Sequence, residues 1–198
     1  MKQIFLILSF SFLCCNNTQI KKVVIKDYSE IHMNALEFCE KEKYNKNYYF
    51  LIDLSIHSGK NRFFVYDFTT NKILDKNLVT HGSCDQFEEN PKKWEKAKFD
   101  KKVDSHCSMK GKYKIGKRDY SSWGINVKYW LQGLEDSNKN AEKRVVVLHS
   151  WNAVANKEIY PKYAPLSWGC PAVSNEFMEK LDLRLQKSDL PVLLWIIE

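Results

Sequence analysis

Apolar and polar positions alternate in short runs along most of the chain. Tyr48-Tyr49-Phe50-Leu51-Ile52-Asp53-Leu54 and Arg62-Phe63-Phe64-Val65-Tyr66-Asp67-Phe68 are rich in aromatic and branched residues. Such runs suit a pleated, half-buried surface and predict two strands. Ser58-Gly59-Lys60-Asn61 links them, and Thr69-Thr70-Asn71-Lys72 reads as a hairpin loop leading to a strand over 73–80. Further strands are predicted at 112–115, 129–131, 144–148 and 192–197. Two segments carry a helical period instead. Ser29 can cap a helix reaching about residue 43, with Ile31, Ala35 and Cys39 four apart and His32 and Leu36 beside them. Ser174 can cap a second, with Phe177, Leu181 and Leu185 on one face. Many short strands, two helices and no βαβ alternation predict a mainly β domain with a few α-helices. No internal repeat is visible.

The N-terminus lies outside that pattern. Met1-Lys2-Gln3 precedes an apolar run over 4–13, then Cys14-Cys15-Asn16-Asn17. One charge followed by a short apolar stretch has the form of an export signal and is too short to span a bilayer. A Cys directly after such a run resembles a bacterial lipoprotein signal. That resemblance implies cleavage before Cys15 and a diacylglycerol on its thiol; an ordinary secretory signal is the alternative. The expected division is a signal peptide over 1–14, a lipid-anchor linker over 15–28 and a catalytic domain over 29–198. The expected place is the cell envelope, as a periplasmic or outer-membrane lipoprotein.

Composition narrows the class. The chain has 198 residues, 44% hydrophobic and 28% charged, with only 7 Gly and 5 Pro, so it is neither collagen-like nor low-complexity. Its 14% aromatic content also excludes a self-repelling disordered chain. The net charge is +7; removing residues 1–14 takes away only Lys2 and leaves +6. A modest positive field suits an anionic envelope polymer. No basic cluster interleaved with aromatics supports nucleic acid.

There are 6 Cys and no Cys-x-x-Cys, so zinc spacing is absent and no metal site is expected. Cys39 falls on the buried helix face. Cys84 and Cys107 bracket a charged segment with little periodicity, which also holds Trp94 and Phe99. Either the two remain thiols, or they form a disulfide that stabilises by roughly 3 kcal/mol through loop closure.

The chemistry concentrates further on. Arg144-Val145-Val146-Val147-Leu148-His149-Ser150 delivers a His at the end of an apolar run, and Ser167-Trp168-Gly169-Cys170-Pro171 follows. Small residues allow close backbone approach, and successive N–H groups there can form an oxyanion hole. A thiol needs a base or cation to become thiolate at neutral pH, and His149 is the natural partner of Cys170. No His follows Cys170, which disfavours the papain-like and NlpC/P60-type order of Cys before His.

The seventeen residues between His149 and Ser167, with Ser167-Trp168-Gly169-Cys170, resemble the motif of the bacterial cell-wall L,D-transpeptidases, the YkuD-like domain. The likeness extends through Phe50-Leu51-Ile52-Asp53-Leu54-Ser55, Ser58-Gly59-Lys60-Asn61-Arg62-Phe63, Thr80-His81-Gly82-Ser83 and Ser108-Met109-Lys110-Gly111-Lys112-Tyr113-Lys114-Ile115-Gly116. It is nearest the murein L,D-transpeptidase catalytic domain branch. The resemblance implies a β-sandwich or barrel-like fold and peptidoglycan stem peptides as substrate. It implies Cys170 as nucleophile, His149 as base, and Ser150 as the residue whose carbonyl orients the imidazole. Gly169 and Cys170 would supply oxyanion N–H groups. Ser167, Trp168 and His81 would shape or line the substrate cleft. Trp168 stands where the family usually has His, and Pro171-Ala172 replaces the polar residues that usually follow the Cys.

The expected activity is a cysteine acyltransferase passing a stem-peptide acyl group from Cys170 to an amine. The thioester route needs no metal or organic cofactor. An L,D-carboxypeptidase using water is the nearest alternative. A non-catalytic, lipid-anchored wall-binding protein is the alternative from another class.

Overall fold

The strand runs assemble into one mixed sheet. The computed structural model describes residues 26–84, 90 and 92–198; the apolar N-terminal run, Cys14 and Cys15 lie outside the described residues. The elements are α1 (Ser29–Lys41), β1 (Tyr48–Asp53), β2 (Phe63–Asp67), β3 (Lys72–Asn77), β4 (Gly111–Tyr120), β5 (Val127–Gly133), β6 (Val147–Ser150), β7 (Ala172–Val173), α2 (Asn175–Gln186) and β8 (Leu193–Ile197). Across the sheet the order is β3-β2-β1-β8-β4-β5-β6-β7. The β1/β8 and β6/β7 pairs are parallel.

The two edges of the sheet approach each other. Beyond β3 the chain crosses to the far edge, where Thr80 N–H donates to the Ala172 carbonyl at 2.9 Å. Ser167 N–H donates to the His81 carbonyl and Ser83 N–H to the Ser167 carbonyl, each at 2.9 Å. The sheet thereby curls toward closure, the barrel-like form expected.

Alternation along β1 explains why it is central. Tyr49 and Leu51 face one core with Ala35 and Cys39 of α1. Phe50 and Ile52 face the other, with Phe177, Met178 and Leu181 of α2. Successive side chains in a strand point to opposite faces, so each helix covers one side. Each large side chain fully buried this way stabilises by roughly 1.5–3 kcal/mol.

The element ends follow local chemistry. Ser174 caps α2, its hydroxyl accepting from Phe177 N–H at 3.2 Å. Ser29 does not cap α1. The cap position is Tyr28, and Asp27 accepts from Ser29 N–H at 2.9 Å. The helix stops at Lys41, short of residue 43, where Lys43 turns to φ 60°. The described chain begins with residues already tied to the sheet. Lys26 Nζ lies 2.7 Å from the buried Asp53 carboxylate, and Tyr28 donates its hydroxyl to the same group. Residues 26–28 therefore belong to the folded domain.

β4 and β5 run longer than their apolar cores because they pair with each other across a register shift between Ile115 and Arg118. β6 starts at Val147 because Val145 takes φ 55° and breaks the extended run.

Candidate active site

β6 carries His149, and the turn leading into β7 carries Cys170. His149 pairs with Ala172 and Ser150 with Val173 in a short parallel ladder. His149 N–H donates to the Pro171 carbonyl at 3.4 Å. Cys170 precedes Pro171 directly, so the ladder fixes its turn beside the imidazole strand.

The turn itself is held by hydroxyls. Ser167 donates to the Cys170 carbonyl at 2.7 Å and accepts from Gly169 N–H at 3.1 Å. Thr80 donates to the same carbonyl at 3.0 Å and accepts from Ala172 N–H at 2.9 Å. Gly169 takes φ +106°, and a Cβ there would stand 2.7 Å from the Cys107 carbonyl oxygen. Both the conformation and the space require glycine.

His149, Cys170, Ser167 and Trp168 line one cleft of about 460 Å³ with Trp123, Trp151, Leu166 and Ala172. Trp123 and Trp151 meet edge to face at 5.7 Å. Trp168 is 75% exposed and stacks on His106 with ring centroids 4.7 Å apart. The cleft is therefore largely aromatic around a thiol and an imidazole.

His149 Nδ1 lies 2.9 Å from the Ser150 carbonyl oxygen. A carbonyl only accepts, so Nδ1 carries the hydrogen and Nε2 keeps a lone pair. Burial holds the imidazole below its ordinary value, against the Ser150 carbonyl and with help from the Lys128 charge. Burial pushes the Cys170 thiol up, opposed by the Val147 backbone, Arg144 and Lys128. The resting pair is thus neutral thiol and neutral imidazole. The thiol donates toward the Val145 carbonyl at 3.7 Å. Ser150 is buried, and its hydroxyl accepts from Ile125 N–H at 3.0 Å.

Two expected roles change. Gly169 N–H is engaged by Ser167 Oγ, whereas Cys170 N–H meets no acceptor among the described residues. Cys170 N–H is therefore left open to an incoming acceptor, and Gly169 N–H is held within the turn. His81 is not a cleft residue: it is buried. Arg62 Nη2 donates to its Nδ1 at 2.8 Å, and its Nε2 reaches the Lys93 carbonyl at 2.6 Å. Both ring nitrogens are occupied, and burial with the Arg62 charge pushes its pKa down to about 3. Its backbone still supports the turn through Ser167 N–H.

Cys84 and Cys107 form a disulfide, with Cα atoms 4.4 Å apart. The Cys107 carbonyl lies beneath Gly169, so the bridged segment abuts the nucleophile turn. Thr80, Trp123, Trp151, Lys128 and Arg144 had no assigned role in the sequence. Each reaches the site through a register or a loop path that local pattern does not encode.

Residues 19–193 match the L,D-transpeptidase catalytic domain family. The chain belongs to this family. No curated protein matches it. Among solved structures it is similar to an L,D-transpeptidase from Xylanimonas cellulosilytica at 11% identity and TM-score 0.44, covering 81% of this chain and 68% of that one. It is similar to Bdellovibrio bacteriovorus Bd1075 at 16% identity and TM-score 0.46, covering 80% and 50%. It is also similar to the helical cell shape determining protein Pgp2 of Campylobacter jejuni, at 14% identity and TM-score 0.46, covering 77% and 48%. This L,D-transpeptidase domain spans about half the length of the latter two chains.

Proposed function

We propose that this L,D-transpeptidase-family protein is an exported cysteine acyltransferase acting on peptidoglycan stem peptides. The supporting observation is the β6/β7 ladder, which holds His149 beside the Cys170 turn with Nδ1 committed to the Ser150 carbonyl.

A neutral pair suits a concerted start. As Cys170 Sγ attacks the carbonyl between the L-centre of the diamino acid and the terminal D-residue, the thiol proton passes to His149 Nε2. The oxyanion faces the Cys170 N–H. The C–N bond then breaks, His149 returns the proton to the departing amine, and a thioester remains. An acceptor amine attacks the thioester carbon, His149 takes its proton, and Cys170 leaves as the thiol. With water as acceptor the same steps give a shortened stem. General acid–base assistance of this kind contributes about 10²–10⁴-fold.

The N-terminal run and Cys15 support export with a lipid anchor. Radiolabelled palmitate should enter the wild type and be lost in Cys15→Ala; equal labelling would remove the anchor.

Muropeptide analysis after incubation with purified wall material tests the activity. Dimers crosslinked between two diamino acid residues, or amine-linked protein, would identify a transpeptidase. Stems shortened by one D-residue without new crosslinks would identify the carboxypeptidase. Unchanged muropeptides would leave a non-catalytic wall-binding protein.

A further inference from the structure

Arg144 stands against the underside of the nucleophile turn. Its Nη1 donates to the Asp100 carbonyl at 2.8 Å and its Nη2 to the Cys107 carbonyl at 2.7 Å. The same Nη2 would lie 3.0 Å from a Cβ built on Gly169. One guanidinium thus ties Asp100 to the Cys107 end of the charged, disulfide-bonded segment and lies close to Gly169, the residue before Cys170. The side chain is only partly exposed, and it uses carbonyl oxygens rather than a carboxylate as partners. Its positive charge is therefore not cancelled by a bonded anion. A guanidinium stays protonated throughout the working pH range.

We infer that Arg144 is a positioning residue of this site: bonded to the Asp100 and Cys107 carbonyls, it backs the segment packed against Gly169 and sets a positive charge on that side of the Cys170 turn. The inference rests on the reading of Cys170 as the reactive thiol. Other groups face that sulfur from the neighbouring elements. They are His149 on β6, Lys128 on β5 and Tyr113 on β4, while Asp100 and Asp104 act on Arg144 from the loop side. Lys128 stands opposite His149 in the β5/β6 ladder, and its Nζ lies over the Trp130 ring at 5.0 Å from the centroid. Arg144 is the cation whose guanidinium lies on the Gly169 side of the turn.

A fixed guanidinium does two separable things. Its charge favours the thiolate and the negative charge that develops on attack. Its fork holds two carbonyls at once, which a point-charge ammonium cannot reproduce.

The test is the pH profile of Cys170 alkylation by iodoacetamide, which needs no wall substrate. Cys39 is buried, and Cys170→Ala supplies the background. In Arg144→Met the thiol midpoint should rise by about one unit, so alkylation near neutral pH slows about tenfold. Arg144→Lys should keep the midpoint, yet lower kcat for D-residue release with little change in KM. A folded Arg144→Met with the wild-type midpoint would overturn the inference. So would loss of the fold in both Arg144→Met and Arg144→Gln, since the residue would then be purely structural. A shifted profile in Arg144→Met alongside no D-residue release by any variant, wild type included, would instead place the failure on the proposed activity.

Discussion

His149 stands directly opposite Ala172 in a two-residue parallel ladder, with its N–H on the Pro171 carbonyl. This backbone pairing sets the placement of His149 on one strand relative to Cys170, two residues upstream of Ala172 in the turn that leads into the other. A strand is a stiffer mount than a loop, so the acid–base pair keeps its register without a direct side-chain bond.

The role of His149 predicts a pH profile. Its imidazole sits below the ordinary value of 6.5 because it is buried. A lowered pKa means the base form persists as pH falls, so the acid limb of kcat/KM should lie below 6.5. His149→Ala should slow acylation by about 10²–10⁴-fold near neutrality. Its remaining rate should climb with pH as the thiol ionises. Rates of D-residue release from a tetrapeptide stem between mildly acidic and alkaline pH check this; an unchanged acid limb in the variant would remove His149 from the role.

Gly169→Ala should damage the turn. The φ of +106° disfavours any side chain, and the new Cβ would meet the Cys107 carbonyl at 2.7 Å. A strained residue of this kind costs about 1–3 kcal/mol. Urea unfolding should report that loss. Acylation should fall further than stability does, because the shift moves Cys170 itself.

His81 predicts acid sensitivity of the fold rather than of catalysis. Its folded pKa of about 3 lies below the ordinary 6.5. Between those values the unfolded chain binds the proton and the folded one does not, so stability is full above 6.5 and falls as pH drops toward 3. His32, half-buried against Tyr49 and pushed down to about 4, acts in the same direction. In His81→Gln, stability measured by urea at several pH values should decline less steeply across this window, leaving the share due to His32 and His149. An equal slope would assign the acid sensitivity to other groups.

Most of the architecture was legible in the chain. The runs at 48–54 and 62–68 are rich enough in aromatic and branched residues to mark β1 and β2, and Ser174 marks the start of α2. β7 escaped notice because two residues hold no period, although it is the strand that positions the nucleophile. Residue types and order pointed to His149 and Cys170 together, and the fold places both on one cleft. The assignment of His81 to the cleft was not sound: its buried partner Arg62 lies nineteen positions away, and only the fold brings them together. Arg144 looked like the first residue of a strand; the left-handed Val145 instead turns it toward the nucleophile loop.

The central claim is that Cys170 forms a covalent thioester with a stem peptide. Intact-mass analysis of the wild-type protein, trapped during incubation with a tetrapeptide-stem muropeptide, measures it directly. The predicted result is an adduct equal to the muropeptide less its terminal D-residue, mapped to Cys170 and absent in Cys170→Ala. Release of the D-residue at the wild-type rate by Cys170→Ala would contradict the account.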